Sequence, residues 1–464
     1  MGNKLNKTYD LVIVGAGAAG LFAAFKLCKQ QSLKITIIEM GKDVKNRKCY
    51  VSDKLVCAHC KPCNMLAGVG GAGTYSSGQL NLSPQIGGDL ANLAGSYDRA
   101  VDLINEVDDI FLKNGAPEKV YEPDKEEVRE LKLKAGAEGI QFIPIKQRHI
   151  GTENAPKVIN NIRNYLEKNQ VKFKLRTKVR QVMKKSLLLS NDEEITFDFC
   201  LLAPGRVGMH WLANEMERLG IKTKYEPVDI GIRVEVPAYI MDPICSIQRD
   251  PKFHIYTHKF DGFVRTFCTN HKGFVVQELY EDETVAVNGH SYIEKQSKNT
   301  NFALISRVAL TKPLEDTTMY GKSIIDAFTV LGGGKPIVQR LGDLKRGRRS
   351  NADRMRKNFI QPTLRNATEG DISMVMPYRI LTNLLESIEK LNSIIPGLNN
   401  DSSLLYAPEI KYSAKRIITN EFLETEIENI FVAGDGAGLT RGIVAAAVSG
   451  LVSAQGILQK LENH

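Results

Sequence analysis

The sequence is poor in the features that mark fibrous, secreted and nucleic-acid-packaging chains. It has one tryptophan and eight histidines in 464 residues, and aromatic residues make up 7% of the chain. Hydrophobic (43%) and charged (25%) residues are close to ordinary globular usage, which excludes long disorder, collagen-like repeats and a coiled coil as the main architecture. The net charge of +9 is too small for a histone-like protein. We expect a globular protein of two or three domains, at about 150 residues per domain.

No segment fits a targeting signal or a membrane span well. Residues 1–10 are polar and lead directly into a strand-like segment, which is not typical of a secretory signal. The apolar stretch 442–459 is long enough to cross a bilayer, but glycine, serine and glutamine dilute it, which favours a buried helix. We therefore expect a cytoplasmic protein without membrane contact.

A glycine-rich turn follows the first strand-like segment. The apolar, β-branched run Tyr9–Val14 predicts a buried parallel strand, and a helical stretch follows the turn. In this context Gly15 permits a tight turn, Gly17 lets the backbone approach a pyrophosphate, and Gly20 lets the helix pack closely on the strand. The pattern predicts dinucleotide binding.

The helix start and the end of the second strand complete this pattern. Ala18 and Ala19 lie at the predicted helix amino terminus, where free N–H groups and the helix dipole favour phosphate. The second apolar run, 35–38, ends in Glu39, whose carboxylate can accept hydrogen bonds from a ribose diol.

A second motif lies near the carboxyl end. The apolar run 430–433 ends in Gly434 and Asp435, and a helical run begins near Gly442 and Ile443. This resembles the second flavin motif of flavoproteins with two dinucleotide-binding domains. In that family the aspartate binds the ribityl chain and the helix points its amino terminus at the flavin. The two motifs together indicate FAD rather than NAD.

A third segment fits the same cofactor. The run 199–202 followed by Ala203, Pro204 and Gly205 resembles the hydrophobic-Ala-Thr-Gly segment of these flavoproteins, with proline in place of threonine. The same resemblance implies that the backbone of Val179 contacts the adenine.

The stretch 47–90 is rich in cysteine and glycine. Arg47 stands where related proteins carry an arginine near the phosphates, and glycine at this density suggests backbone lying against a ligand. The predicted contacts in the glycine-rich part are Gly70, Gly71, Gly73 and Ser77.

The whole pattern resembles the uncharacterised FAD-dependent dehydrogenase family, also described as NAD(FAD)-utilizing dehydrogenases. The motifs that carry the resemblance are Gly15–Gly20, Cys57–Asn64, Gly70–Gly73 and Gly434–Gly438, with further matching pieces at 229–235, 265–268 and 287–289. The chain departs from the family after Cys268, where Thr269 and Asn270 stand in place of an expected cysteine and proline. The resemblance implies flavin chemistry and leaves the substrate open.

Four of the eight cysteines are clustered, and their pattern has several interpretations. Cys49, Cys57, Cys60 and Cys63 have the short spacings of many [4Fe–4S] ligand sets, and four thiolates can also bind zinc. A redox disulfide beside the flavin and inert free thiols are the two other interpretations. An iron–sulfur cluster would be an entry point for electrons, because no second glycine fingerprint for NAD(P)H occurs in the sequence.

These observations predict an α/β protein with a Rossmann-like FAD-binding domain of the glutathione-reductase type and an inserted α+β substrate domain. The predicted boundaries are 1–225 and 399–464 for the FAD-binding domain and 226–398 for the substrate domain. The predicted activity is hydride or two-electron transfer on a small organic substrate, with NAD(P)H or a redox protein as the electron donor.

A basic segment within the middle domain suggests an alternative. Residues 340–357 carry eight basic side chains against two acidic ones, which would suit an anionic substrate or, in a flavin-dependent tRNA-modifying protein, RNA. No aromatic interleaving accompanies the charge, so a nucleic-acid partner is disfavoured. No catalytic acid or base is assigned.

Overall fold

The computed structural model describes residues 9–48, 60–75, 78–279, 283–292 and 295–462. Its helices, in chain order, are α1 (Ala18–Leu27), α2 (Leu90–Ala94), α3 (Tyr97–Lys113), α4 (Lys125–Ala137), α5 (Ala155–Lys168), α6 (Met209–Arg218), α7 (Ala238–Ile247), α8 (Thr317–Leu331), α9 (Leu341–Lys345), α10 (Ala352–Arg356), α11 (Tyr378–Ile394) and α12 (Ile443–Glu462).

The strands, in the same order, are β1 (Tyr9–Val14), β2 (Leu33–Glu39), β3 (Gln79–Asn81), β4 (Val120–Tyr121), β5 (Ile140–Ile143), β6 (Gln147–His149), β7 (Lys172–Leu175), β8 (Val179–Val182), β9 (Ser186–Leu189), β10 (Glu194–Thr196), β11 (Phe199–Leu202), β12 (Thr223–Lys224), β13 (Val228–Pro237), β14 (Lys252–Tyr256), β15 (Phe263–Asn270), β16 (Phe274–Leu279), β17 (Val285–His290), β18 (Asn299–Val308), β19 (Ile337–Arg340), β20 (Thr368–Glu369), β21 (Leu404–Lys411), β22 (Arg416–Ile417) and β23 (Ile430–Val432).

The chain divides into two compact units. The first unit comprises Met1–Val120, Gln147–Glu226 and Ala414–His464, and the second comprises Tyr121–Lys146 and Pro227–Ser413.

The first unit is built on a five-stranded parallel sheet in the order β23-β11-β1-β2-β7. β1 and β11 are near-continuous apolar runs, as expected of strands covered on both faces. A small antiparallel sheet, β10-β9-β8, follows the strand β7 in the chain. This is the α/β architecture with a Rossmann-like core that the sequence predicts, and the fold class is confirmed.

α1 and α12 pack against each other in the core of this unit. A Cβ atom on Gly450 of α12 would lie 2.1 Å from the carbonyl oxygen of Ala19, so only glycine allows the two helices to approach this closely. α12 is also long and apolar enough to suit a membrane span, but most of its residues, from Val444 to Ile457, are buried in this unit. It is a core helix here, because its apolar surface is already covered by protein.

The second unit contains an eight-stranded mixed sheet in the order β20-β19-β21-β13-β18-β15-β14-β5. Its neighbouring strands run antiparallel except for the parallel pair β19–β20. The apolar face of this sheet packs against a core that includes Phe302, Phe328 and Leu384.

The division into units differs from the predicted domain boundaries at two places. Residues 121–146 belong to the second unit, since β5 pairs with β14 there. Residues 399–413 also belong to it, because β21 pairs with β13 and β19. Both differences come from strand pairing between residues far apart in the sequence, which local patterns do not reveal.

Candidate FAD-binding site

The ends of four parallel strands come together at one edge of the first unit. Val14 of β1 lies opposite Ile38 of β2 and Leu202 of β11, and Leu202 lies opposite Val432 of β23. The turns that follow these strands carry the predicted cofactor residues. Parallel sheets bind ligands at this carboxyl edge. Motifs that are about 420 residues apart in the chain therefore lie on adjacent turns of one sheet, as the numbering of Gly15 and Asp435 shows.

The turn after β1 is fixed by close backbone packing. Gly15 has a φ of +104°, and a Cβ atom there would lie 2.2 Å from the carbonyl oxygen of Ala203. A Cβ atom on Gly20 would lie 2.0 Å from the carbonyl oxygen of Gly15. Larger residues at either position would force the strand, the turn and α1 apart.

Other glycines of the edge face open space. Among the described residues, a Cβ atom on Gly205 or Gly442 would have no neighbour within 4 Å, and one on Gly17 would meet only the Cα atom of Gly71, at 3.9 Å. Gly17 caps α1 without a side-chain hydrogen bond, so the first N–H groups of α1, at Ala18 and beyond, lie at an uncapped helix start. This surface fits a bound pyrophosphate and sugar chain, because backbone N–H groups and a helix dipole favour phosphate.

Glu39 holds three turns together through its buried carboxylate. Its Oε2 accepts the N–H of Ala16 at 2.9 Å, and its Oε1 accepts those of Gly41 and Gly68 at 2.7 and 2.9 Å. A carboxylate has about four acceptor positions, so capacity remains for a ribose hydroxyl. The N–H of Thr177 donates to the carbonyl of Glu39, so the start of the strand that carries Val179 lies beside Glu39.

Arg47 builds the glycine-rich loop instead of offering its charge to a ligand. The side chain is 5% exposed, and its guanidinium donates to five backbone carbonyls, those of Asn64, Met65, Gly68, Val69 and Gly71. Burial lowers the pKa of Arg47, and nearby Tyr75 and Glu39 oppose that shift. All of its donor directions are used, so this geometry leaves no free N–H group for the predicted phosphate contact.

The glycine-rich loop packs against the protein itself. The N–H of Gly70 donates to the carbonyl of Ala16 at 2.7 Å, and a Cβ atom on Gly70 would lie 2.0 Å from the Thr74 hydroxyl. A Cβ atom on Gly73 would lie 2.7 Å from the side chain of Ile443. These glycines are required by loop packing. The predicted residue Ser77 lies outside the described residues.

Asp435 occupies the turn after β23, and its side chain is 18% exposed. Its carboxylate accepts the Thr440 hydroxyl at 2.9 Å and the N–H of Gly442 at 3.3 Å, and Arg206 Nε lies 3.8 Å away. Burial raises the pKa of Asp435, while Arg206 and these hydrogen bonds oppose the shift. Sequence reasoning missed Thr440, Arg206 and Ser449, whose Oγ accepts the N–H of Gly434. Arg206 could have been identified from the sequence, since it directly follows Gly205 of the third cofactor motif.

The cysteine cluster is only partly within the described residues. Cys49 and Cys57 lie outside them, whereas Cys60 and Cys63 are free thiols. Asn64 Nδ2 lies 3.7 Å from Cys60 Sγ. Within the described ranges, no group of three or more His, Cys, Asp or Glu side chains could hold a metal ion. The described thiols therefore give no support to an iron–sulfur or zinc site.

The second unit contains a buried charge network. Arg233 and Glu409, both fully buried, form a bidentate ion pair at 2.9 and 3.2 Å. Arg233 also donates to Asn301 Oδ1, to the carbonyl of Cys268 and, at 3.4 Å, to Asn288 Oδ1. The segments 229–235, 265–268 and 287–289, which are distant in sequence, meet in this network.

Part of the basic segment 340–357 is paired with acidic side chains. Buried Asp343 accepts Arg348 Nε at 2.9 Å and lies within 4 Å of charged nitrogens of Arg340 and Arg354. Arg346 pairs with Asp401 at 2.6 Å. This pairing ties Arg340, Arg346 and Arg348 to the fold, which weakens the argument for an RNA-binding surface.

Comparisons with known proteins bear on the cofactor. Residues 9–137 match the family model of pyridine nucleotide-disulphide oxidoreductases, 227–412 match that of the FAD-dependent protein C-terminal domain-like family, and 361–464 match that of glucose inhibited division protein A. The chain is an FAD-dependent oxidoreductase. These matches give no support to an iron–sulfur cluster or to tRNA modification.

More distant similarities to the oxidoreductase extend over nearly its whole length. An uncharacterized protein of Clostridium beijerinckii is 25% identical over 97% of this chain and 81% of its own. Glycine oxidase from Bacillus cereus aligns over 98% of this chain and 96% of its own, with 12% identity and a TM-score of 0.41. L-proline dehydrogenase from P. horikoshii aligns over 98% and 94%, with 12% identity and a TM-score of 0.37. TM-scores below 0.5 are too low to establish a common fold.

Proposed function

We propose that the oxidoreductase holds FAD along the carboxyl edge of the parallel sheet and transfers a hydride or an electron pair to or from a small organic substrate. The alignment of the ends of β1, β2, β11 and β23 carries this proposal. In this proposal the phosphate-binding helix start, the ribose acceptor and the ribityl acceptor lie on adjacent turns. Bound FAD would supply the redox chemistry, and the protein supplies orientation and electrostatics.

The glycines and acids at the sheet edge would each contact a different part of FAD. Gly15, Gly17 and Gly20 shape the turn at the start of α1, where backbone N–H groups bind the pyrophosphate. Glu39 accepts a ribose hydroxyl, and Asp435 accepts hydroxyls of the ribityl chain. Gly442 and Ile443 begin α12, whose positive dipole end favours negative charge on a nearby ligand.

The electron donor is proposed to be NAD(P)H or a reduced redox protein. We place the oxidoreductase in the cytoplasm, since the described cysteines are free thiols and such thiols persist in reducing compartments. An anionic substrate would fit the positive net charge of +9.

The test is direct. The full-length protein, purified without oxygen, is expected to show oxidised-flavin absorbance after exposure to air and to contain one FAD per chain. Adding NADH, NADPH or a reduced ferredoxin identifies the donor by bleaching of that absorbance. Colourless protein that takes up no added FAD would contradict the proposal. Iron and sulfide assays on the same sample decide whether the cysteines hold a cluster.

A further inference from the structure

Arg206 is the exposed guanidinium at the edge where the strand ends meet. It begins the short 3₁₀ turn Arg206–Gly208 after β11, and its side chain is 59% exposed. The carboxylate of Asp435 lies 3.8 Å from Arg206 Nε, which is beyond hydrogen-bonding distance. Among the described residues, Arg206 thus has an ion-pair partner, but this partner accepts no hydrogen bond from its N–H groups, which remain able to donate to a ligand.

The turns after β11 and β23 touch each other beside this side chain. A Cβ atom on Gly436 would lie 2.4 Å from the carbonyl oxygen of Gly205. Arg206 is therefore carried on a backbone fixed directly against the Asp435 turn. Gly205, its neighbour, has open space where a side chain would stand.

The pyrophosphate of FAD is negatively charged, so a cationic side chain beside it would strengthen binding, and Arg47, the cation expected from the sequence, has no free N–H group to offer. Arg47 is 5% exposed and uses its donors on loop carbonyls. The start of α1 provides backbone N–H groups and a partial positive charge. A guanidinium adds paired, charge-assisted hydrogen bonds to phosphate oxygens, which a helix start alone lacks.

We propose that Arg206 binds the pyrophosphate of FAD, exchanging its long-range pairing with Asp435 for hydrogen bonds to phosphate oxygens. This inference rests on the proposed position of FAD at the sheet edge. It leaves the Asp435 carboxylate for the ribityl hydroxyls. In the cofactor-free protein the same guanidinium offsets the charge of that carboxylate.

The experiment measures the affinity of the full-length protein, freed of cofactor, for FAD, ADP and riboflavin. ADP carries the pyrophosphate without the flavin, and riboflavin carries the ribityl chain without phosphate. Arg206→Gln is expected to weaken FAD and ADP binding about 10- to 100-fold, as expected for losing hydrogen bonds to a charged group, and to leave riboflavin binding unchanged. Arg206→Lys should restore part of the ADP affinity.

A matched control is Lys222→Gln, which removes an exposed cation of the same unit that pairs with Glu426 at 3.2 Å. It should leave all three affinities unchanged, and thermal unfolding of each variant checks that the fold is retained. Weaker riboflavin binding with unchanged ADP binding would overturn the proposal, because Arg206 would then act through Asp435. Unchanged affinities in a wild type that binds FAD would also overturn it and leave the proposed function standing. Wild-type protein that binds no FAD would instead overturn the proposed function.

Discussion

Charged groups are incompletely paired at the sheet edge of the first unit, whereas they are fully paired in the buried charge network of the second unit. At the edge, Asp435 and Arg206 are separated by 3.8 Å, and Gly205 and Gly442 face open space. In the network, Arg233 and Glu409 are fully buried and joined by two hydrogen bonds. Incompletely paired charge beside open backbone is typical of a ligand site, whereas closed pairing is typical of a structural element.

The largest effect is expected when the buried network loses one of its charges. Glu409→Gln leaves the Arg233 charge buried without its counter-ion, which should lower the free energy of unfolding by about 3–5 kcal/mol. Urea denaturation measures this change. Asp326→Asn is the control, since it removes an exposed i,i+4 pair with Lys322 and should cost about 0.5 kcal/mol or less. A similar, small loss in both variants would show that the network is not structural.

The open backbone at the edge can be tested with a matched pair of glycines. Gly205 and Gly333 have φ values of +64° and +61°, and a Cβ atom at either would meet no described residue within 4 Å. Alanine at Gly205, whose ψ is −169°, should cost about 1–3 kcal/mol of backbone strain, and urea denaturation of both variants separates this strain from any effect on FAD binding. Only Gly205→Ala should also lower FAD affinity, by about tenfold or more, because its methyl group enters the proposed cofactor path. Equal FAD affinity in the two variants would contradict this assignment.

A third prediction concerns the pH dependence of the second unit. Burial raises the pKa of Glu235 above its ordinary 4.5, while hydrogen bonds from Thr363, Tyr406 and Asn299 oppose the shift. The folded state therefore holds the Glu235 proton more tightly, and its contribution to stability is fully present below pH 4.5 and is lost as pH rises through the folded-state pKa.

Glu235→Gln should remove this dependence. Within that pH window the wild type should lose stability relative to the variant by at most about 1.4 kcal/mol per pH unit. Urea denaturation of both proteins across the window measures the difference. Parallel stability curves would show that Glu235 does not titrate there. Glu409 contributes to the pH dependence of stability with the opposite sign, because Arg233 and Lys411 hold its pKa below the ordinary value against the effect of burial. The wild type and the Glu235→Gln variant are therefore compared at each pH, so that the contribution of Glu409 is the same in both.

The smallest effect is expected in the basic segment. Arg346→Gln removes a pair with Asp401 in which both side chains are about half exposed, and should change the free energy of unfolding by about 1 kcal/mol or less. FAD content should stay the same. Salt-dependent RNA binding by the wild type that is lost in this variant would revive the RNA-binding alternative.

The local patterns predicted the parallel sheet and the turns that carry the candidate site. β1, the turn at Gly15 and the acid at the end of β2 follow from strand periodicity and glycine spacing, which are short-range properties. The role of Arg47 could not be predicted this way, since its partners depend on how the loop that carries Gly68 and Gly71 folds back onto it. The placement of β5 and β21 in the second unit was missed for the same reason.

By itself the sequence determined the two cofactor motifs, because each is a contiguous strand, turn and helix start whose chemistry depends on neighbouring residues. The tertiary structure sets how many hydrogen-bond partners each arginine has. Arg47 and Arg206 both follow motif strands. Arg47 donates hydrogen bonds to five backbone carbonyls, whereas Arg206 Nε lies 3.8 Å from the carboxylate of Asp435. That difference arises from packing between distant segments, and hydrogen-bond satisfaction in a folded protein is set by such packing.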